Sequence, residues 1–241
     1  DLKTITNCGC YATTVITAIT SQNTLGVQHV MPVDCEVVRK QIHSVLDDFD
    51  VKAVKIGMIP NADIAKVIIE ELQHLIASKP IPIVCDPIMF STSGTRLMAD
   101  ECIDLMVNNL FPLCTLVTPN LPESDYLIKN TPFASLPINI LTKGGHAEGE
   151  RMTDVLWIAD TKKEISFSSE RIETTNLHGT GCTLSSAIAS YLAKGFSIEN
   201  AVGKAKDYIQ EAIRGGKDLD IGHGNGPLWV EVSVFSNVKK N

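Results

Sequence analysis

Short apolar runs rich in β-branched residues alternate along the chain with longer stretches in which apolar positions return every three or four residues. The first kind suits a buried strand and the second an amphipathic helix lying on a sheet, so their alternation predicts an α/β fold. Strands are predicted over 15–20, 51–56, 81–85, 113–118 and 138–142, each leading into a turn that carries Gly, Pro, Asn or Asp. After Asn61, the stripe Ile64, Val67, Ile68, Leu72, Leu75 and Ile76 predicts a helix packed on that sheet.

A second stripe, Leu184, Ala187, Ile188, Tyr191 and Leu192, stops before Gly195. Ser197 then caps a third helix built on Ile198, Ala201, Val202, Ala205, Tyr208 and Ile209, and these two helices should pair. Upstream of both, 155–158 and 164–167 flank a polar stretch and read as a hairpin adding antiparallel strands to a mostly parallel sheet.

Composition narrows the partner more than the fold. With 241 residues and 44% hydrophobic content, the chain is large enough for one sizeable domain, expected to span 1–241. A formal net charge of -7 with 20% charged residues argues against nucleic acid or an anionic membrane and leaves a small molecule as the expected partner. Seven cysteines, an odd number without C-x-x-C pairs, fit a reducing cytosol better than a disulfide framework or structural zinc. No apolar run reaches the roughly 20 residues of a membrane helix, and no basic segment followed by an apolar core opens the sequence, so neither a membrane nor an export route is expected.

The stretch Asn176-Leu177-His178-Gly179-Thr180-Gly181-Cys182-Thr183 is the most informative, because a small-residue turn runs straight into an amphipathic helix. Free N–H groups at a helix start attract phosphate, and the missing Cβ atoms of Gly179 and Gly181 permit close approach, so Gly179, Thr180 and Gly181 form a candidate anion hole. A plain tight turn would use the same residues. Helix starts also favour thiolates, which makes Cys182 a candidate proton acceptor; its bland alternative is a small buried hydrophobe. The chain has neither a G-x-x-x-x-G-K-[ST] loop nor a dinucleotide fingerprint.

Three further groups follow predicted strands. Asp86 sits at a strand end, where open α/β sheets bind ligands, although it could simply stabilise a turn. Asn120 and Glu123 in Thr118-Pro119-Asn120-Leu121-Pro122-Glu123 could hold magnesium through water, or cap a helix. Lys143, in Lys143-Gly144-Gly145-His146, could meet a phosphate as a point charge, or be merely solvated. Together, a carboxylate motif, a lysine and a glycine anion hole are the parts that phosphoryl transfer requires.

These motifs, with Asp1-Leu2-Lys3-Thr4, Gln22-Asn23-Thr24-Leu25-Gly26-Val27-Gln28, Lys55-Ile56-Gly57-Met58, Asp86-Pro87-Ile88-Met89 and Gly222-His223-Gly224, give the chain a sequence that resembles the hydroxymethylpyrimidine/phosphomethylpyrimidine kinases over nearly its whole length. That family lies in the ribokinase-like superfamily, which also holds pyridoxal kinases. The resemblance implies a three-layer αβα sandwich with a mostly parallel central sheet, ATP and Mg2+ as cofactors, and a homodimer. The implied reaction is phosphorylation of the pyrimidine's hydroxymethyl group and then of the monophosphate. It also implies Cys182 as catalytic base, Gly179, Thr180 and Gly181 as anion hole, and Asp86, Asn120 and Lys143 toward ATP. Asp86 and Glu123 would face the metal, and Gln22, Met58 and Ile88 the pyrimidine.

Two departures from the family pattern are expected to matter. The first strand and glycine-rich segment that should precede Asp1 are not in the sequence, and from Asn120 to Lys143 the chain is shorter by about one helix. Three rival readings remain at this level: a pyridoxal or pyridoxine kinase, a non-catalytic pyrimidine-binding relative, and a hydrolase using Cys182 with His178.

Overall fold

The computed structural model describes residues 1–89, 98–144 and 149–231. A short helix, α1 (Leu2–Asn7), leads to the strands β1 (Ala18–Asn23) and β2 (Gly26–Pro32) and the helix α2 (Cys35–Leu46). Next come β3 (Val54–Ile56), α3 (Ala62–Ser78), β4 (Ile83–Cys85), α4 (Asp100–Leu105), β5 (Leu116–Val117), α5 (Leu121–Asn130) and β6 (Asn139–Thr142). The hairpin of β7 (Arg151–Ile158) and β8 (Lys163–Glu170) follows, and then the helices α6 (Thr180–Ala193) and α7 (Ile198–Gly216).

The six strands β3 to β8 lie side by side in chain order; β3 to β6 run parallel and the β7/β8 hairpin is antiparallel. Successive side chains of β4 reach opposite faces, and all three of its residues are fully buried, as a central parallel strand requires. Ile83 and Cys85 join a core with Ile64, Ile68 and Leu72 of α3, while Val84 faces Ala187 and Ile188 of α6 and Val202 and Ile209 of α7. Apolar stripes on both sides of one sheet produce the three-layer αβα sandwich that the resemblance implies. Helices α3 and α7 begin at capping residues: Asn61 accepts from the Ile64 N–H at 2.9 Å and Ser197 from the Asn200 N–H at 3.3 Å.

The N-terminal strand departs from expectation. Residues 15–17 join no ladder, and the strand runs over 18–23 in a separate two-stranded sheet with β2. The polar backbone of 15–17 is satisfied elsewhere: Gln41 accepts from the Ile16 N–H at 2.9 Å and donates to its carbonyl at 3.1 Å, and the Thr17 carbonyl accepts from Val33 at 3.0 Å. A cavity of about 660 Å³ lies between this segment and the edge strand β3. From Asn120 to Lys143 the chain forms α5 and then a single 3-10 turn, Phe133–Ser135, before β6.

Candidate functional site

Parallel strands end on the same side of a sheet, so the residues following β4, β5 and β6 converge. The ladder continues one step past each strand: Asp86 N–H donates to the Ile56 carbonyl at 2.9 Å, Thr118 N–H to Cys85 at 2.9 Å and Lys143 N–H to Pro119 at 2.9 Å. This fixes the backbones of the site residues before any side chain is considered.

The side chains then meet. Lys143 Nζ donates to Asp86 Oδ1 at 2.6 Å, and Thr118 Oγ1 donates to the same oxygen at 3.3 Å. Asp86 is buried, and the Lys143 side chain is 14% exposed, so the pair is shielded but open at one end. Burial works against the Lys143 charge, but the Asp86 and Glu123 carboxylates, the hydrogen bond to Asp86 and the nearby Cys182 outweigh it and hold the ammonium above the usual lysine value.

Glu123 and Asn120 do cap a helix, as one reading of their motif allowed. Asn120 Oδ1 accepts from the Glu123 N–H at 2.9 Å, and Glu123 Oε2 accepts from the Asn120 N–H at 2.9 Å, a reciprocal capping box at the start of α5. The other oxygen, Oε1, accepts from the Met89 N–H at 3.2 Å and so ties α5 to the segment after Asp86. Burial pushes the Glu123 carboxyl above its ordinary value, against the pull of Lys143 and of the two backbone amides. Capping and proximity to Lys143 coexist in the same carboxylate.

Helix α6 starts against this pair. Gly179 occupies the left-handed region at φ 88° and supplies no side-chain cap; the Thr180 N–H turns back to the Leu177 carbonyl at 3.2 Å, and the Gly181 backbone faces the pair. A methyl on Gly181 would stand 3.2 Å from Asp86 Oδ2 and 3.3 Å from Lys143 Nζ, so the absence of a side chain brings this backbone onto the ion pair. Cys182, half-buried in the same turn, lies within electrostatic reach of Lys143. Asp86, Lys143, Glu123, Gly181 and Cys182 therefore form one cluster at the sheet edge.

The residues expected around a pyrimidine are more spread. Ile88 Cδ1 would be 3.8 Å from a methyl on Gly57, which sets Ile88 beside the Gly57-Met58 turn, and the Met58 carbonyl accepts from Thr17 Oγ1 at 2.9 Å. Gln22 comes from the β1/β2 hairpin and lies 3.4 Å from His178 Nε2. The hairpin tip is fastened: Thr24 Oγ1 accepts from the N–H groups of His223 at 3.1 Å and Gly224 at 3.2 Å, and the Thr24 carbonyl accepts from Asn225 at 3.0 Å. The 660 Å³ cavity touches Met58 but none of Asp86, Asn120, Glu123, Lys143 or Cys182, so the chemistry lies outside it. Gly145 and His146 of the lysine motif lie outside the described residues.

Two groups escaped the sequence reading. Lys55 Nζ donates to both carboxylate oxygens of Asp1 at 3.0 and 2.9 Å, and Ser186 Oγ donates to Asp1 Oδ1 at 2.8 Å, joining α1, β3 and α6 one turn beyond Cys182. Asp154 on β7 pairs with Lys206 of α7 at 2.7 Å. The one available signal was a charge standing within an apolar run, as Lys55 does between Val54 and Ile56.

Comparison with known proteins identifies the family and the fold. The profile of the phosphomethylpyrimidine kinase family matches residues 1–229. A hydroxymethylpyrimidine/phosphomethylpyrimidine kinase of Rhizobium meliloti is 40% identical over 243 residues, covering 95% of this chain and 89% of that protein. A probable thiamine biosynthetic bifunctional enzyme of Oryza sativa is 38% identical, with 95% of this chain matching 44% of that longer protein. Among solved structures, the phosphomethylpyrimidine kinase of Clostridium difficile superposes with a TM-score of 0.73 at 37% identity, over 88% of this chain and 90% of that one. The Bacillus subtilis pyridoxal kinase, solved as an ADP complex, superposes with a TM-score of 0.78 at 28% identity, over 94% of this chain and 88% of that one. The cluster at the sheet edge thus sits in a chain that belongs to the phosphomethylpyrimidine kinase family.

Proposed function

We propose that the chain is the ATP-dependent kinase of thiamine biosynthesis that phosphorylates 4-amino-5-hydroxymethyl-2-methylpyrimidine and then its monophosphate. The observation that carries this reading is the Asp86–Lys143 pair set against the uncapped start of α6, with Cys182 in the same turn. A lysine and a helix start beside a glycine-lined approach suit a transferring phosphoryl group, whose charge spreads over its outer oxygens.

In the proposed reaction, the Cys182 thiolate accepts the hydroxyl proton of the pyrimidine's hydroxymethyl group as that oxygen attacks the γ-phosphorus of ATP. The new O–P bond forms while the bond from the γ-phosphorus to the bridging oxygen breaks, and ADP leaves with that electron pair. The amides of Gly179 and Gly181 receive the phosphoryl oxygens, Thr180 joins them by exchanging its bond to the Leu177 carbonyl, and Lys143 steadies the phosphate chain. Gln22, Met58 and Ile88 hold the ring, with His178 beside Gln22.

Magnesium would neutralise phosphate charge, and Asp86 with Glu123 are the residues to hold it. Both Glu123 oxygens already accept backbone N–H groups, and among the described residues no group of three or more His, Cys, Asp or Glu could cage an ion. The role left to Asp86 and Glu123 is that of one or two carboxylates, with waters and substrate phosphates completing the shell, as is common for magnesium.

A single kinase domain over 1–241, acting in the cytosol as a homodimer, completes the proposal. All seven thiols are free, and among the described residues no helix is long and apolar enough to cross a membrane. Ile19, Val27 and Met31 of the β1/β2 hairpin are exposed, which supports a partner copy on that surface.

The test is magnesium-dependent ATP consumption with hydroxymethylpyrimidine, its monophosphate and pyridoxine, with products followed by mass spectrometry. Pyrimidine mono- and diphosphate are expected. Pyridoxine phosphate alone would reassign the chain to vitamin B6 phosphorylation, and binding without any product would make it a sensor.

A further inference from the structure

Strand β7 and helix α7 each break their own pattern at one position. In β7 the two buried residues, Asp154 and Leu156, share one face of the strand, and Leu156 lies in the apolar core beneath α6 and α7. In α7 the residues Val202, Ala205 and Ile209 are buried with Lys206 among them. A strand and a helix packed on each other thus place an aspartate and a lysine where periodicity calls for two apolar residues. Lys206 Nζ and Asp154 Oδ2 meet at 2.7 Å, with side chains 11% and 5% exposed.

Stability alone does not account for such a pair, because exchanging a buried ion pair for apolar residues of similar volume is often neutral or favourable. The second carboxylate oxygen shows what the pair holds. Asp154 Oδ1 accepts the Gly144 N–H at 2.8 Å, and Gly144 directly follows Lys143. The turn cannot find its place by side-chain packing, since a methyl on Gly144 would overlap the Thr153 carbonyl. With one oxygen on Lys206 and the other on Gly144, Asp154 fixes the backbone at the point where Lys143 leaves β6.

We propose that Asp154, locked by Lys206, is a positioning residue of the nucleotide-phosphate site that sets Lys143 against Asp86 and the start of α6. The inference rests on Lys143 facing ATP, as proposed above. It assigns Asp154 and Lys206 no contact with substrate; they act through Gly144.

Two double variants separate positioning from packing. Asp154→Leu/Lys206→Met removes both charges and the Gly144 acceptor, whereas Asp154→Asn/Lys206→Met removes the charges and keeps an acceptor oxygen. The first is expected to weaken ADP binding by calorimetry, and to raise KM for ATP, by roughly tenfold to a hundredfold, the usual scale for a misplaced site group. KM for the pyrimidine should not move, and the Asn/Met variant should return ADP affinity to near the wild-type value. If Asp154→Leu/Lys206→Met fails to fold, Asp154→Ala/Lys206→Met replaces it in the same comparison. Wild-type ADP affinity in the Leu/Met variant, or equal weakening in both variants, would overturn the proposal. Wild-type protein that binds ADP yet phosphorylates no pyrimidine would sink the substrate assignment alone.

Discussion

Lys143 Nζ stands 2.6 Å from Asp86 Oδ1 although 57 positions separate the two residues in the chain. The pair exists because β4 and β6 end on the same side of the sheet with β5 between them. Removing one member leaves the other charge buried without its partner, which commonly costs about 3 to 5 kcal/mol. Lys143→Met should therefore destabilise the fold on that scale and abolish turnover. Asp86→Asn/Lys143→Met should cost less than the sum of its two single variants. Urea unfolding of all four proteins tests this, and strictly additive costs would show that the two side chains are not energetically coupled.

Glu123 carries a pH signature. Its folded-state pKa is raised by burial, so the folded protein holds the proton more tightly than the unfolded chain does. That contribution is fully present below the ordinary glutamate value and is lost as pH rises through the raised one. The stability of the wild type relative to Glu123→Gln, measured without magnesium, should decline as pH rises above the ordinary glutamate value of about 4. A relative stability that grew over the same interval would contradict the assigned direction.

Cys182 and the glycines before it can be separated by what each substitution disturbs. Cys182→Ala should lower turnover by about 10²- to 10⁴-fold, the range of a lost general base, with melting temperature and ADP affinity nearly unchanged. Cys182→Asp should restore part of the rate. An unchanged rate in the alanine variant would remove Cys182 from the base role.

Gly179 sits at φ 88° with open space around a would-be methyl, so Gly179→Ala is penalised through the backbone alone. A loss of about 1 to 2 kcal/mol is expected, or a few degrees in melting temperature. Gly181 has no such strain, but a methyl there would crowd Asp86 and Lys143. Gly181→Ala should accordingly spare the melting temperature and raise KM for ATP several-fold. Steady-state kinetics beside thermal melts would reveal the contrast, and identical effects from the two substitutions would refute it.

The layers of the fold were legible in the sequence because α3, α6 and α7 carry one apolar stripe each, and because central strands such as β4 are apolar throughout. Strands came out shorter than their apolar runs, as in β5, which keeps only Leu116–Val117 of the predicted 113–118. The strand expected over 15–20 was misplaced, and its hairpin partner went unread, for a physical reason. Ile19, Val27 and Met31 are exposed, so the hairpin's apolar residues do not mark a core and periodicity is silent about which sheet it joins. In the site, the strand-end residues and the glycine turn were readable because turn chemistry and helix starts leave local marks. The Asp154–Lys206 pair left only a charge at an apolar position of each element, with nothing to join the two, and the Thr24 clasp left no mark, since each links segments distant in sequence.

That clasp supports a last prediction. Thr24 Oγ1 receives two N–H groups, from His223 and Gly224, and holds the tip of the hairpin that presents Gln22 beside His178. Two strands outside any larger sheet are marginal alone, so the hairpin relies on such fastening for its position. Thr24→Val keeps the shape of the side chain and removes the acceptor, leaving both amides to seek water. Hydrogen exchange across 18–32 should accelerate, and KM for the pyrimidine should rise several-fold while KM for ATP, which depends on Lys143 and not on the hairpin, stays constant. Faster exchange with an unchanged pyrimidine KM would mean that the hairpin moves independently of the substrate, and Gln22 would then lose its place in the ring pocket.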